Sequence, residues 1–128
     1  MDAPSPVAPA EVLEIAPGEL LATVAALKQD RAFDLLLDVT AVDWPGQVPR
    51  FEVVYHFYST RTFQRVRVKL RVPEDDPTVD TLFPFYGAAL FLERECHDMY
   101  GVNFRGIPDT RPILLYVYKA GLLEAVTE

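Results

Sequence analysis

The sequence has one cysteine, Cys96, two histidines and fewer basic than acidic residues. One cysteine excludes an intramolecular disulfide and gives no sign of an oxidising compartment. It also excludes an iron–sulfur cluster held by this chain alone, which would need about four cysteine ligands. Two histidines leave a catalytic zinc site with an unusual ligand set. Twelve Lys and Arg against nineteen Asp and Glu give a formal charge of −7. That balance argues against a nucleic-acid binder, which is normally basic, and against strong attachment to an anionic membrane. The longest apolar run, Leu82 to Leu92, is about half a membrane span and is broken by Pro84 and Gly87. Met1 to Ala10 lacks the basic start and long apolar stretch of a signal peptide. A Gly-rich dinucleotide loop and a phosphate loop are also missing. These absences lead us to expect a soluble, cytoplasmic chain whose membrane contact, if any, runs through partner proteins.

Half of the 128 residues are apolar and 12 % are aromatic, enough for one domain with a core. Residues 1–10 are rich in Pro and Ala and are expected to be loose, leaving 11–128 as a single domain. Glu11 to Ile15 reads as a short strand. Gly18 to Asp30 reads as a helix, with Leu20, Leu21, Val24 and Leu27 at helical spacing behind Pro17. Phe33 to Val42 suits a buried strand, and Trp44 to Pro49 a loop.

Two segments then alternate. Phe51, Val53, Tyr55 and Phe57 share one face of a strand, as do Val66, Val68, Leu70 and Val72 of the next. Pairing Tyr58 with Phe63 across a turn at Ser59 to Thr62 sets Tyr55 opposite Val66, Val53 opposite Val68 and Glu52 opposite Lys69. The other face of the second strand carries Arg65, Arg67, Lys69 and Arg71. With one aromatic, Phe63, beside it, this stripe makes a poor base-stacking platform. A solvated sheet face or a docking face for an acidic partner fits it better.

After a polar break at Pro73 to Pro77, Thr81 to Gly101 reads as mostly helical, and Val102 to Leu115 as extended and loop-like. Ile113 to Tyr118 could form a last strand. Helices and hairpins in this order predict a two-layer α+β domain, its helices on one face of a mostly antiparallel sheet. Within Ala88 to Tyr100, Ala88, Leu92, Cys96 and Met99 fall on one helical face and are assigned to the core. Cys96 is thus read as a small buried hydrophobe. Leu90, Phe91, Arg94 and Asp98 fall opposite. Arg94 and Asp98 can pair at i,i+4, but an acid near a helix C-terminus wants another cation. Arg105 and Arg111 are the candidates. Gly101 stands where a helix stops, and Gly106 and Pro108 shape the turn beyond.

The run Glu93-Arg94-Glu95-Cys96-His97-Asp98-Met99-Tyr100-Gly101, continuing through Gly106, Pro108 and Asp109 to Arg111-Pro112-Ile113-Leu114, resembles the signature of the 30 kDa subunit family of respiratory complex I. That signature has Glu-Arg-Glu, an acid followed by two apolar residues, and a later Arg before two aliphatics. Leu37 to Asp43 and Arg50 to His56 also look like the family, so the likeness runs from about Glu11 to Leu115. Ile107 departs from it, standing where the family usually has His or Lys. The tail departs as well: Tyr116 to Glu124 replaces a basic, proline-containing segment. The resemblance implies a non-catalytic scaffold subunit in the peripheral arm of an NADH:quinone oxidoreductase. It would lie on the cytoplasmic side of the cell membrane, against the large quinone-site subunit related to the hydrogenase large subunit. It implies no cofactor in this chain, with NADH, FMN, iron–sulfur clusters and quinone in partner subunits. Arg94, Asp98 and Arg111 would then form a buried or interfacial charge group.

Rival readings are an equivalent subunit of a membrane-bound nickel–iron hydrogenase or other-donor dehydrogenase, and a free-standing binding domain. A metal enzyme would have to use Glu93, Glu95, His97, Asp98 and His56, of which Glu93 and His97 share a helix turn. Acid/base chemistry at these carboxylates has equally little behind it, since three acids in a helix turn are common on surfaces.

Overall fold

Apolar side chains at every second position give this chain its sheet. In the computed structural model, which describes residues 10–107, the strands are β1 (Glu11–Glu14), β2 (Leu35–Asp43), β3 (Phe51–Tyr58) and β4 (Arg65–Val72). They lie in the order β1-β4-β3-β2, with β1 parallel to β4 and the other pairs antiparallel. On β4, Val66, Val68, Leu70 and Val72 are buried while Arg65, Arg67, Lys69 and Arg71 are half-buried on the opposite face. The period-2 reading therefore holds for both strands of the hairpin.

Its register differs by two residues from the expected one. Val53 faces Leu70, Tyr55 faces Val68 and Glu52 faces Arg71. The turn is the cause. Ser59 N–H donates to the Gln64 carbonyl (3.0 Å), and Ser59 Oγ accepts from Arg61 N and Thr62 N, so the connection runs from Ser59 to Gln64. Phe63 sits inside it at φ 60° rather than in the strand. A two-residue slip keeps every side chain on its face, which is why alternation alone could not detect it.

Helix α1 (Leu20–Arg31) follows a 3-10 turn at Pro17–Glu19. Leu20, Val24 and Leu27, at i, i+4 and i+7, are its buried residues. It ends at Ala32 in the left-handed conformation (φ 59°), with Lys28 and Arg31 in its last turn opposing the dipole. Helix α2 (Ala89–Tyr100) joins the same core, so both helices cover one face of the sheet. Tyr55, Phe57, Phe33 and Leu70 are the large buried side chains between the layers. Tyr86 Oη donates to the Phe33 carbonyl at 2.6 Å, tying the segment before α2 to the segment before β2.

The α+β architecture is as expected, with three departures. Residues Leu82 to Ala88 form turns, not helix: Phe85 N and Tyr86 N both bond the Leu82 carbonyl at 2.9 Å. Strands β5 (Thr78–Asp80) and β6 (Asn103–Arg105) pair in parallel as a second, two-stranded sheet. On α2 the buried positions are Ala89, Leu90, Glu93 and Cys96; of the expected face, Cys96 is buried and Leu92 is partly buried against the core, whereas Met99 is 73 % exposed and Ala88 is exposed. The expectations for residues 1–9, for a strand at Ile113 to Tyr118, and for Pro108, Asp109 and Arg111 lie outside the described residues.

Candidate functional site

Glu93 is the centre of the signature segment. Four residues after Ala89 and three before Cys96, it belongs to the inward stripe of α2 and is fully buried. Its carboxylate is fully engaged. Thr81 Oγ1 donates to Oε1 and Leu82 N–H donates to Oε2 at 2.7 Å. Thr81 in turn donates its N–H to the Arg105 carbonyl (2.9 Å) and accepts from Phe83 N–H (3.1 Å). Glu93 thus fastens α2 to the corner where β5 ends beside β6. Burial outweighs these two hydrogen bonds and pushes its carboxyl up to about 7.

Burial, with the Asp38 and Glu93 charges behind it, pushes the Cys96 thiol up to about 12, so the nucleophilic thiolate is suppressed. The Tyr55 hydroxyl is buried without a hydrogen-bond partner among the described residues, and burial raises its pKa well above 10. His97 presents Nδ1 to the Val102 carbonyl at 2.9 Å from an exposed position. Among the described residues, His, Cys, Asp and Glu form no group of three able to hold a metal ion.

Gly101 caps α2 at φ 78°, donating its N–H to the His97 carbonyl at 2.8 Å. Gly106 turns the chain at φ 90°, where a Cβ would stand 3.4 Å from Thr81 Cγ2. Both positions favour glycine through their left-handed backbone.

The outward side of α2 carries the other signature residues. Arg94 Nε contacts Asp98 Oδ1 at 3.2 Å, but the side chains are 38 % and 57 % exposed. Glu95 is exposed beside them. The pair exists as expected, on the surface of the chain rather than buried in it. Arg105 is not its extra cation, since it bonds Asp80 at 2.8 Å across the β5–β6 sheet. The structure therefore separates Glu93, Gly101 and Gly106, which shape the segment, from Arg94, Glu95 and Asp98, which face outward. Sequence reasoning missed the buried role of Glu93; counting the helical stripe from Ala89 instead of Ala88 would have found it.

The model of the family described as "Respiratory-chain NADH dehydrogenase, 30 Kd subunit" matches residues 13–121. The chain belongs to that family. A relative from Geobacter metallireducens, itself a subunit of NADH-quinone oxidoreductase, is 49 % identical over 90 residues, covering 70 % of this chain and 56 % of the relative. A solved trypsin-resistant fragment (1-134) of Nqo5 superposes with a TM-score of 0.72 at 31 % identity, covering 77 % of this chain and 80 % of the fragment. A chain of the membrane-bound sulfane sulfur reductase, an archaeal respiratory membrane complex, superposes with a TM-score of 0.71 at 28 % identity, covering 91 % and 81 %. The chain spans roughly half to three-fifths of the length of the first curated relatives it matches. The matched region 13–121 includes α2 and its loop, so both belong to the family fold. No helix among the described residues is long and apolar enough to cross a membrane.

Proposed function

We propose that this chain is a non-catalytic scaffold subunit in the peripheral arm of a complex I-type NADH:quinone oxidoreductase. One observation carries the reading: the 30 kDa-subunit family model matches 13–121, the length of chain that holds nearly the whole fold. The chemistry of the segment supports it. Its one thiol is buried and its central carboxylate is committed to Thr81 and Leu82, so the segment offers shape and charge rather than a reactive group. In this reading NADH, FMN, iron–sulfur clusters and quinone bind partner subunits. The chain packs against the large quinone-site subunit on the cytoplasmic side of the membrane and meets lipid only through its partners. The likeness to the sulfane sulfur reductase structure supports a second reading, the equivalent subunit of a related respiratory complex with another donor or acceptor.

The test is to tag the chain in its native host, solubilise membranes in mild detergent and identify what co-purifies by mass spectrometry. Iron–sulfur and quinone-site subunits are the expected companions, and their identity distinguishes the two readings. Recovery of the chain alone would overturn both in favour of a free-standing binding domain.

A further inference from the structure

We propose that the open face of the main sheet, along the β4 stripe Arg65, Arg67 and Lys69, is the docking surface for an acidic segment of a neighbouring subunit. The proposal rests on the scaffold reading and adds to it which face is used and the chemistry of what covers it.

The stripe follows from topology. Strand β4 lies inside the sheet, between β1 and β3, so its outward side chains run down the middle of the face. Both helices lie on the other side; on this one Val54, opposite Lys69, is buried, and Gln47 and Pro49 reach Arg71 at one end. Successive cations on one side of a strand are about 7 Å apart and repel one another. A solvated stripe relieves that repulsion by spreading its side chains into water. Here Arg65, Arg67 and Lys69 are each half-buried, so that relief is incomplete. None of the three has an ion pair or side-chain hydrogen bond with a described residue, and Arg67 Nε is shielded from solvent with no acceptor. A shielded donor without a partner is costly, and a carboxylate is the acceptor that relieves it best.

The acids nearest the stripe do not neutralise it. Glu14 neighbours Lys69 across the β1–β4 pairing, and Asp38 lies beyond His56 on β2, yet neither forms an ion pair with a described residue. Glu52 accepts from Trp44 Nε1 at 3.2 Å. Arg71 is partly engaged, donating to Gln47 Oε1 at 3.0 Å and to the Pro49 carbonyl, while its Nε is shielded without an acceptor as that of Arg67 is. His56, between Asp38 and Arg67, records the imbalance. Burial lowers its pKa and the Arg67 charge lowers it further, against the opposing pull of Asp38. Exposed Val12 on β1 and Val42 on β2 flank the stripe with apolar contact area. A chain of charge −7 that gathers on one face cations without ion pairs among the described residues is complementary there to a carboxylate-bearing partner.

The test uses the complex purified from the native host and a zero-length carbodiimide, which joins an amine to a carboxylate only where the two already touch. The expected product is an amide between Lys69 and an Asp or Glu of another subunit, with Lys69 protected from acetylation in the complex relative to the free full-length chain. Lys69→Arg should retain assembly and lose the cross-link. The double reversal R67E/K69E should weaken retention of the subunit about tenfold or more. Undiminished acetylation in the complex would overturn the proposal, as would a cross-link confined to Glu14, Glu124 or Glu128 of the same chain. Protection that vanishes on delipidation without a carboxylate cross-link would also overturn it, in favour of lipid headgroups. Recovery of the chain without companions would overturn the scaffold reading itself, a different result from an assembled complex with an open Lys69.

Discussion

Replacing Glu93 by Gln removes a charge from the core while leaving its shape. Wild-type Glu93 has a carboxyl pushed up to about 7 from an ordinary value of 4.5. The folded chain therefore holds a proton that the unfolded chain has already released between those two pH values. By linkage, the protonated carboxyl's contribution is complete below about pH 4.5, declines as pH rises, and is gone above about pH 7. The interval corresponds to about 3 kcal/mol for this fully buried group. Carboxylates held low, such as Asp43 against the Arg50 guanidinium and Glu11 against Arg31, act with the opposite sign, and their loss falls in acid below the ordinary carboxylate range. The variant isolates the Glu93 contribution. The carbonyl of the substituted amide can accept from Leu82 N–H, and its NH2 group can donate to Thr81 Oγ1, so both contacts persist. Urea unfolding of the full chain at pH 5, 6, 7 and 8, followed by far-UV circular dichroism, should show the two proteins closely matched at pH 5. At pH 8 Glu93→Gln should be the more stable by up to about 3 kcal/mol. Glu93→Ala should be less stable than wild type by about 2–4 kcal/mol at pH 5, because two donors lose their acceptor and a cavity remains, and that deficit should shrink toward pH 8 as the wild type loses its proton-linked stability. A stability difference between wild type and Glu93→Gln that stays constant from pH 5 to pH 8 would refute a buried, proton-holding Glu93.

Three further outcomes follow from the same geometry. Arg94→Ala removes, among its contacts, an exposed i,i+4 pair worth about 0.3–0.5 kcal/mol, and should reduce incorporation into the native complex more than it reduces soluble chain; equal loss of soluble chain and of assembly would make Arg94 a folding element. The Cys96 thiol, buried and held protonated, should react with a thiol reagent such as DTNB only at the rate of global opening; fast labelling of native chain would contradict this. Ala32→Gly relieves a left-handed residue at the end of α1 and should raise stability by about 0.5–1 kcal/mol, read as a higher urea midpoint at constant slope.

Much of the fold was legible because its pattern is local. The alternation of Phe51 to Tyr58 and Arg65 to Val72 assigns each side chain to a face, and the i, i+4, i+7 placement of Leu20, Val24 and Leu27 gives α1 its buried side. What was not legible depended on contacts distant in sequence or on an apolar residue that does not go inside. Val79 and Phe104 meet across β5 and β6, strands of three residues each, too short to show a period. Leu82 to Ala88 has helical composition, but Pro84 interrupts it and two N–H groups share the Leu82 carbonyl, so helix begins only at Ala89. Arg105, expected near Asp98, finds Asp80 because β5–β6 pairing brings the two together.

The misread face of α2 is the most instructive case, because it concerns the site itself. A hydrophobic count selects Ala88, Leu92, Cys96 and Met99, since it scores Glu93 as polar and pushes it outward. The chain buries Glu93 instead, because Thr81 Oγ1 and Leu82 N–H provide two donors that would otherwise be unsatisfied at the end of β5. Once those donors are counted, the inward stripe is Ala89, Glu93 and Cys96, and Arg94, Glu95 and Asp98 are turned outward together. The signature then divides by physical role. Glu93, Gly101 and Gly106 hold α2 and its loop in shape, so their variants should move the denaturation midpoint of the isolated chain. Glu95 and Asp98, both exposed, contribute little to that midpoint, so any effect they have must be read in the assembled complex. A motif that looks uniform in sequence is, in three dimensions, a clasp on one side of a helix and a presented charged surface on the other.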